Sequence, residues 1–194
     1  MNRVFSVIGF LFFALIAQAQ IPTSGNIFIG YSYSGGNVFV PAAPERASAS
    51  HSTGLNGWEG SLEGKLAPWV GIVADLSGHY GSHDLLVCSF VLPPCSTFKF
   101  NAHTYTFMFG PRVSVPIGKF TPFAHALLGA GHITTRGDSI SASSTSLAYA
   151  IGGGLDYKLI KGVAWRFQGD EVYTHFFGGH QGHFRFSTGV DFRF

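Results

Sequence analysis

Charge is scarce in this chain. Lys and Arg number 12 and Asp and Glu 10, together 11% of 194 residues, for a formal net charge of +2. So near a balance leaves no basic patch, and no nucleic-acid partner is expected. Cysteine is scarcer still, with Cys88 and Cys95 alone, and two thiols without further ligands do not make a metal site. Long apolar runs are missing too. Beyond the first residues no uninterrupted apolar stretch reaches the ~18–20 residues that a spanning helix needs. Gly129-Ala130-Gly131 and the Gly run at 152–154 are no nucleotide loop, because neither precedes an amphipathic helix. What the chain does have is apolar bulk: 46% hydrophobic residues, with 20 Phe. That is too apolar for a disordered polypeptide.

The N-terminus reads as an export signal. Met1-Asn2-Arg3 is a short positive segment, Val4 to Ile16 is apolar, and Ala17-Gln18-Ala19 is a small-x-small cleavage site. The other reading, a membrane-anchoring helix, suits it less, since the run is short for a span and gives way at once to polar and turn residues. Cleavage after Ala19 is expected, leaving residues 20–194 as one domain. An exported chain that is apolar without spanning helices has one economical form. Only helices and closed barrels satisfy every backbone group in lipid.

Eight segments alternate with period two, which places successive side chains on opposite faces of a strand. The last, from His183, puts Thr188, Val190, Phe192 and Phe194 on one face and Ser187, Gly189, Asp191 and Arg193 on the other. The first, Asn26 to Ser34, sets Ile27, Ile29, Tyr31 and Tyr33 against Gly30, Ser32 and Ser34. The second, Leu55 to Leu66, sets Trp58, Leu62 and Leu66 against Glu59, Ser61, Glu63 and Lys65. The third, Trp69 to Gly81, sets Val70, Ile72, Ala74, Leu76 and Tyr80 against Asp75, Ser77 and His79. The fourth, Phe100 to Val113, sets Tyr105, Phe107 and Phe109 against Thr104, Thr106 and Arg112.

The fifth, Phe120 to His132, alternates least clearly. Ala124, Ala126, Leu128 and Ala130 are assigned outward, which turns Phe123, His125, Leu127, Gly129 and Gly131 inward. The sixth, Ser146 to Lys158, sets Leu147, Tyr149, Ile151, Leu155 and Tyr157 against Ala148, Ala150, Gly152, Gly154 and Asp156. The seventh, Val163 to Thr174, sets Trp165, Phe167 and Tyr173 against Arg166, Gln168 and Asp170. Segments of this length suit tilted membrane strands, which need ~9–11 residues each.

The connections alternate as well. Ala67-Pro68, Pro116 to Lys119 and Leu159 to Gly162 are short, whereas Ser82 to Lys99 and Ile133 to Thr145 are read as long loops. Long loops on one side and short turns on the other are the pattern of outer-membrane barrels. Alternation also sorts the charges. Glu59, Glu63, Asp75, Asp156, Asp170 and Asp191 fall inside with Lys65, Arg112, Arg166, Arg185 and Arg193. A charge facing mid-membrane lipid costs ~2–4 kcal/mol for Arg or Lys. Only Glu171 breaks the rule, late in its strand where that cost fades. Eight strands enclose just enough room for side chains to fill, so the lumen is expected to be packed and laced by ion pairs. Gly129, Gly131, Gly152 and Gly154 would make room for opposing Arg, Phe and His.

Several short patterns carry a resemblance: Tyr31-Ser32-Tyr33, Ala74 to Tyr80, Phe109-Gly110-Pro111-Arg112, Pro122-Phe123, Gly152 to Tyr157, Arg166 to Asp170 and Phe192-Arg193-Phe194. In this order they resemble the small OmpA-like, opacity-type outer-membrane β-barrels, from the first strand to the C-terminus. The resemblance implies an all-β fold, an eight-stranded antiparallel up-and-down transmembrane β-barrel in the bacterial outer membrane. It implies outer-membrane lipid and the barrel assembly machinery as partners, with Phe194 resembling the assembly signal of such substrates. Glu171 departs from the pattern, since these barrels more often carry an aromatic after the inward Asp. No peptidoglycan-binding domain follows the barrel, so a cell-wall role is not carried over.

Three constellations bear on chemistry. Cys88 and Cys95, in one exposed loop of an exported chain, read as a disulfide, with two free thiols as the other reading. His175, His180 and His183 surround a Gly-rich loop, and they read as a solvated loop at headgroup level rather than as a zinc or copper site. Asp75, Ser77 and His79 share one inward face. Residues i and i+2 of a strand sit ~6–7 Å apart at Cα, so a nucleophilic relay is less fitting than a polar plug. No catalytic residue, cofactor or metal is expected. The function read from the sequence is a non-enzymatic scaffold whose extracellular loops bind an unspecified surface partner. The alternatives are a lipid-A-modifying enzyme and a narrow pore.

Overall fold

The computed structural model describes residues 24–37, 52–88, 95–137, 141–176 and 181–194. Eight strands follow in chain order: β1 (Gly25–Asn37), β2 (Ser52–Ala67), β3 (Val70–Cys88), β4 (Cys95–Ser114), β5 (Phe120–Gly137), β6 (Ser141–Ile160), β7 (Val163–Thr174) and β8 (Gln181–Arg193). Each pairs antiparallel with its sequence neighbours, and β1 closes on β8 to make one barrel. The seam is finished by two backbone bonds of 3.0 Å, from the Gly25 N–H to the Phe194 carbonyl and from the Phe194 N–H to that of Gly25. No sheet edge is left at membrane depth. That is what a backbone surrounded by hydrocarbon requires.

Period-two alternation is kept all around, with the apolar side outside. Ile29 is 62% exposed and Phe109 56%, whereas Glu59 and Asp191 are at 0%. An apolar exterior of this extent needs lipid as its solvent. In β5, Ala124, Ala126, Leu128 and Ala130 face out, and Phe123, His125 and Leu127 are buried inside. Glu171 lies exposed on the outward face of β7.

The tight turns cluster at one end of the barrel. Pro68-Trp69 joins β2 to β3, so Trp69 sits in the turn rather than opening the strand. Gly118 and Gly162 adopt φ of 63° and 80° in the turns before β5 and β7. A side chain there would be strained, which is why glycine occupies both.

At the opposite end the structure differs from the loops read in the sequence. Most of Ser82 to Lys99 is ladder, because β3 and β4 stay paired out to Cys88 and Cys95. Ile133 to Thr145 is likewise ladder on both sides, paired through Arg136 and Ser141. Outside lipid a hairpin needs only its backbone bonds and β-tolerant residues, so the loss of apolar alternation did not end these strands. The barrel wall thus stands taller along β3 to β6 than along β7, β8 and β1.

Candidate functional site

The lumen is the candidate site. Near the tight-turn end, Arg166 of β7 faces its register partner Asp156 of β6. Its Nε donates to Asp156 Oδ1 at 2.6 Å and its Nη2 to Oδ2 at 2.9 Å. The same Nη2 stands 2.8 Å from Asp191 Oδ1. Arg193 spans both acids, at 2.9 Å from Asp156 and 3.1 Å from Asp191. Beside this group Glu63 is held by Lys65 at 2.7 Å, by Arg112 at 3.2 Å and by the Asn26 amide at 3.1 Å. Phe123 fills the space between the two guanidinium groups, 4.3 Å from Arg112 and 4.8 Å from Arg166. Its ring occupies the place where Gly154 has no side chain. These cation–π contacts are desolvated, which strengthens them.

A second cluster surrounds Arg185. Its Nη2 and Nε donate to Asp170 Oδ2 at 2.6 and 3.0 Å, its Nη1 donates to Asp75 Oδ1 at 2.8 Å, and Glu59 lies 3.4 Å away. Glu59 also accepts from Gln168 Nε2 at 2.8 Å and from the Ser187 hydroxyl. His125 links the two clusters. Arg112 can only donate, so its 3.4 Å contact makes His125 Nδ1 the acceptor and leaves Nε2 to donate to Asp170 at 2.8 Å. A Cβ at Gly152 would fall on the Asp170 carboxylate. That glycine makes room for an acid, not for the Arg, Phe or His expected opposite it, and Gly129 abuts neighbouring backbone instead.

The eleven charges that alternation sent inward therefore meet in two connected networks, with Lys65 and Arg193 the most exposed members. Sequence reasoning turned Leu127, Ala148 and Ala150 inward but missed the rest of the apolar side of the plug. Phe28 is fully buried inside, and Val73, Met108 and Val172 join those three in one cluster. Inward parity at Phe28, Val73 and Met108 was the available signal, hidden by their apolar character.

The Asp75, Ser77 and His79 row forms no relay. Asp75 serves Arg185, Ser77 shares a 2.6 Å hydrogen bond with Thr106, and His79 Nε2 pairs at 2.9 Å with Ser32 on β1. Ser32 is itself fully buried and shares a 2.9 Å hydrogen bond with the Ser187 hydroxyl, so that Ser–His pair is part of the plug. His183 points into the mouth of the lumen, His175 is exposed at the end of β7, and His180 lies outside the described residues. Among the described residues no three His, Cys, Asp or Glu gather as metal ligands. The ladder sets Cys88 opposite Cys95 at the tip of the β3–β4 hairpin.

Outside, aromatic residues form two bands. Toward the tall end Trp58 Nε1 donates to the Tyr80 hydroxyl at 3.3 Å, Tyr80 to that of Tyr105 at 3.1 Å, and Tyr149 stacks on Tyr173 at 4.8 Å. Toward the tight turns lie Trp69, Trp165, Phe194 and the Phe120–Tyr157 pair, 5.2 Å apart.

No family model and no curated protein match the chain. Solved structures do. Ail, the attachment invasion locus protein of Yersinia pestis, in complex with the heparin analogue sucrose octasulfate, matches with a TM-score of 0.60 at 18% identity, covering 88% of this chain and 98% of that one. Neisserial surface protein A matches at 0.58 and 12% identity, covering 88% and 97%. The outer membrane protease OmpT from Escherichia coli matches at 0.50 and 8% identity, covering 89% and 97%. At these identities the likeness is one of fold. The chain has the fold of the small outer-membrane β-barrels.

Proposed function

We propose that this chain is a non-enzymatic outer-membrane β-barrel, a rigid scaffold that displays its extracellular segments for interaction with other surfaces. The observation that carries this reading is the filled lumen. Three buried arginines and six buried acids are engaged with one another inside the wall, which supports a plug rather than an open channel, and the β3–β4 and β5–β6 hairpins project beyond the apolar band. In this reading the signal is cleaved after Ala19, both termini lie in the periplasm, and Phe194 is read by the assembly machinery. Attachment and surface-protein names among proteins of the same fold support it. Two readings compete, a lipid-A-modifying enzyme, since an enzyme is found among proteins of this fold, and a narrow pore. Three measurements separate them. Cells with and without the protein should have the same lipid A profile, the purified barrel in planar bilayers should give no steady conductance, and exchange of the β3–β4 and β5–β6 tips should abolish surface adhesion. A changed lipid A profile or reproducible open steps from the unmodified protein would replace this reading.

A further inference from the structure

The tight-turn end of the barrel is apolar where a solvated rim would be polar. Trp69 in the β2–β3 turn is 65% exposed, Ile117 in the β4–β5 turn 62%, and Ile160 at the end of β6 65%. They are as open as Ile29 on the lipid-facing wall. The rim runs into that wall without a polar break. Phe120 and Tyr157 stand with their rings 5.2 Å apart, and Tyr157 and Trp165 are register partners across β6 and β7. Large apolar groups gathered at one end and left uncovered mark a contact surface.

The same rim carries charge of one sign. Lys119 and Lys158 are neighbours, because the Lys158 N–H donates to the Lys119 carbonyl at 2.8 Å. Lys161 follows in the β6–β7 turn. All three are exposed, and among the described residues none has an ion-pair partner. The acids of this end, Glu63, Asp156 and Asp191, are buried in the lumen and held there by Lys65 and the arginines. The three tight turns contain no Asp or Glu, and neither do residues 20–23 ahead of β1. Only the terminal carboxylate of Phe194, on the β1–β8 seam, sets one negative charge against three positive.

Exposed apolar side chains beside lysines are the two halves of an interfacial anchor: the first enters the acyl boundary and the second meets anionic headgroups. A polysaccharide would leave the apolar tips in water, and a second copy of the rim would be repelled by its charge. We infer that the tight-turn end is a docking surface for anionic phospholipid. Trp69, Ile117 and Ile160 sit in the headgroup layer, and Lys119, Lys158 and Lys161 hold the lipid phosphates. This rests on the outer-membrane reading, in which the lipid is that of the periplasmic leaflet, and not on what the extracellular tips bind.

The test places the mature barrel in phosphatidylcholine nanodiscs and adds phosphatidylglycerol or phosphatidylcholine brominated near the headgroup. Trp165 as the single Trp reports the rim, and Trp58 as the single Trp reports the far band. Half-quenching of Trp165 should need about fivefold less of the anionic lipid, the scale of one lysine at an anionic surface, whereas Trp58 should not distinguish the two. The preference should vanish in the Lys119→Gln, Lys158→Gln, Lys161→Gln variant and at about 1 M salt, where the Debye length is about 3 Å. Ile117→Trp in a background without other Trp should be quenched by the brominated lipids and shielded from aqueous acrylamide. Heat-modifiable migration checks folding, and if the triple variant misfolds, the salt series and Trp58 decide. Both leaflets of the disc are alike, so the result is independent of orientation, and the adhesive reading stands or falls by its own measurements. Equal quenching of Trp165 by the two lipids, the same preference at Trp58 or in the folded triple variant, a preference that survives salt, or a Trp at position 117 open to acrylamide would each overturn the assignment.

Discussion

Arg166 and Asp156 face each other across the β6–β7 ladder, joined by two hydrogen bonds of 2.6 and 2.9 Å, and both are sealed from solvent. The fork of the guanidinium matches the two carboxylate oxygens, the geometry that makes such pairs strong. Removing one partner strands the other. Among the described residues, Arg166→Ala leaves Asp156 and Asp191 with Arg193 as their one ion-pair partner and removes a cation that stacks on Phe123. A loss of about 3–5 kcal/mol is expected, read as the urea midpoint of the barrel in lipid. A shift of less than 1 kcal/mol would mean that water or Arg193 replaces the pair.

Phe194 closes the β1–β8 seam through its backbone and leaves its ring outside, 59% exposed. Deleting the residue therefore removes two backbone bonds as well as the side chain. Phe194→Ala keeps the bonds and isolates the ring. That substitution is expected to lower surface levels in cells while refolding in detergent stays near normal. Equal levels of the variant and the intact protein in the membrane would argue that the ring carries no assembly signal.

Cys88 and Cys95 occupy one rung of the β3–β4 hairpin. Opposed strand residues bring Cα atoms to ~4.5–5.5 Å, within the range that a disulfide spans. A disulfide is expected in protein exported to an oxidising compartment, and intact-mass analysis after alkylation shows it. Because the rung lies at the hairpin tip, far from the seam and the ionic clusters, the Cys88→Ser, Cys95→Ser double variant should melt within a few degrees of the wild type. The ~2–3 kcal/mol of so short a loop is gained locally. A large drop in barrel melting temperature would tie the tip to the wall.

The chain has 3 Trp, and they report depth. Trp58 lies in the band toward the tall end, Trp69 and Trp165 in the band by the tight turns. In single-Trp variants, lipids brominated near the headgroup should quench all three more than lipids brominated near the chain end. A membrane-impermeant quencher outside cells should reach only the level of Trp58. Quenching of Trp69 from the outside would invert the orientation.

The amino-acid sequence by itself determined the wall. Alternation at Trp58/Glu59, Phe167/Gln168 or Phe192/Arg193 decides which side meets lipid, because a one-residue slip would turn every charge outward at several kcal/mol apiece. Strand number, faces and the tight turns at Gly118 and Gly162 are local properties, legible one segment at a time. Tertiary structure alone decided the partners inside. That Arg185 gathers Asp75 of β3 with Asp170 of β7, and that His79 turns to Ser32 of β1 rather than to Ser77, both depend on the stagger of eight strands around a closed circle. Parity says that a side chain points inward, but the residue it meets across the lumen is set by barrel closure and shear, which no single strand contains.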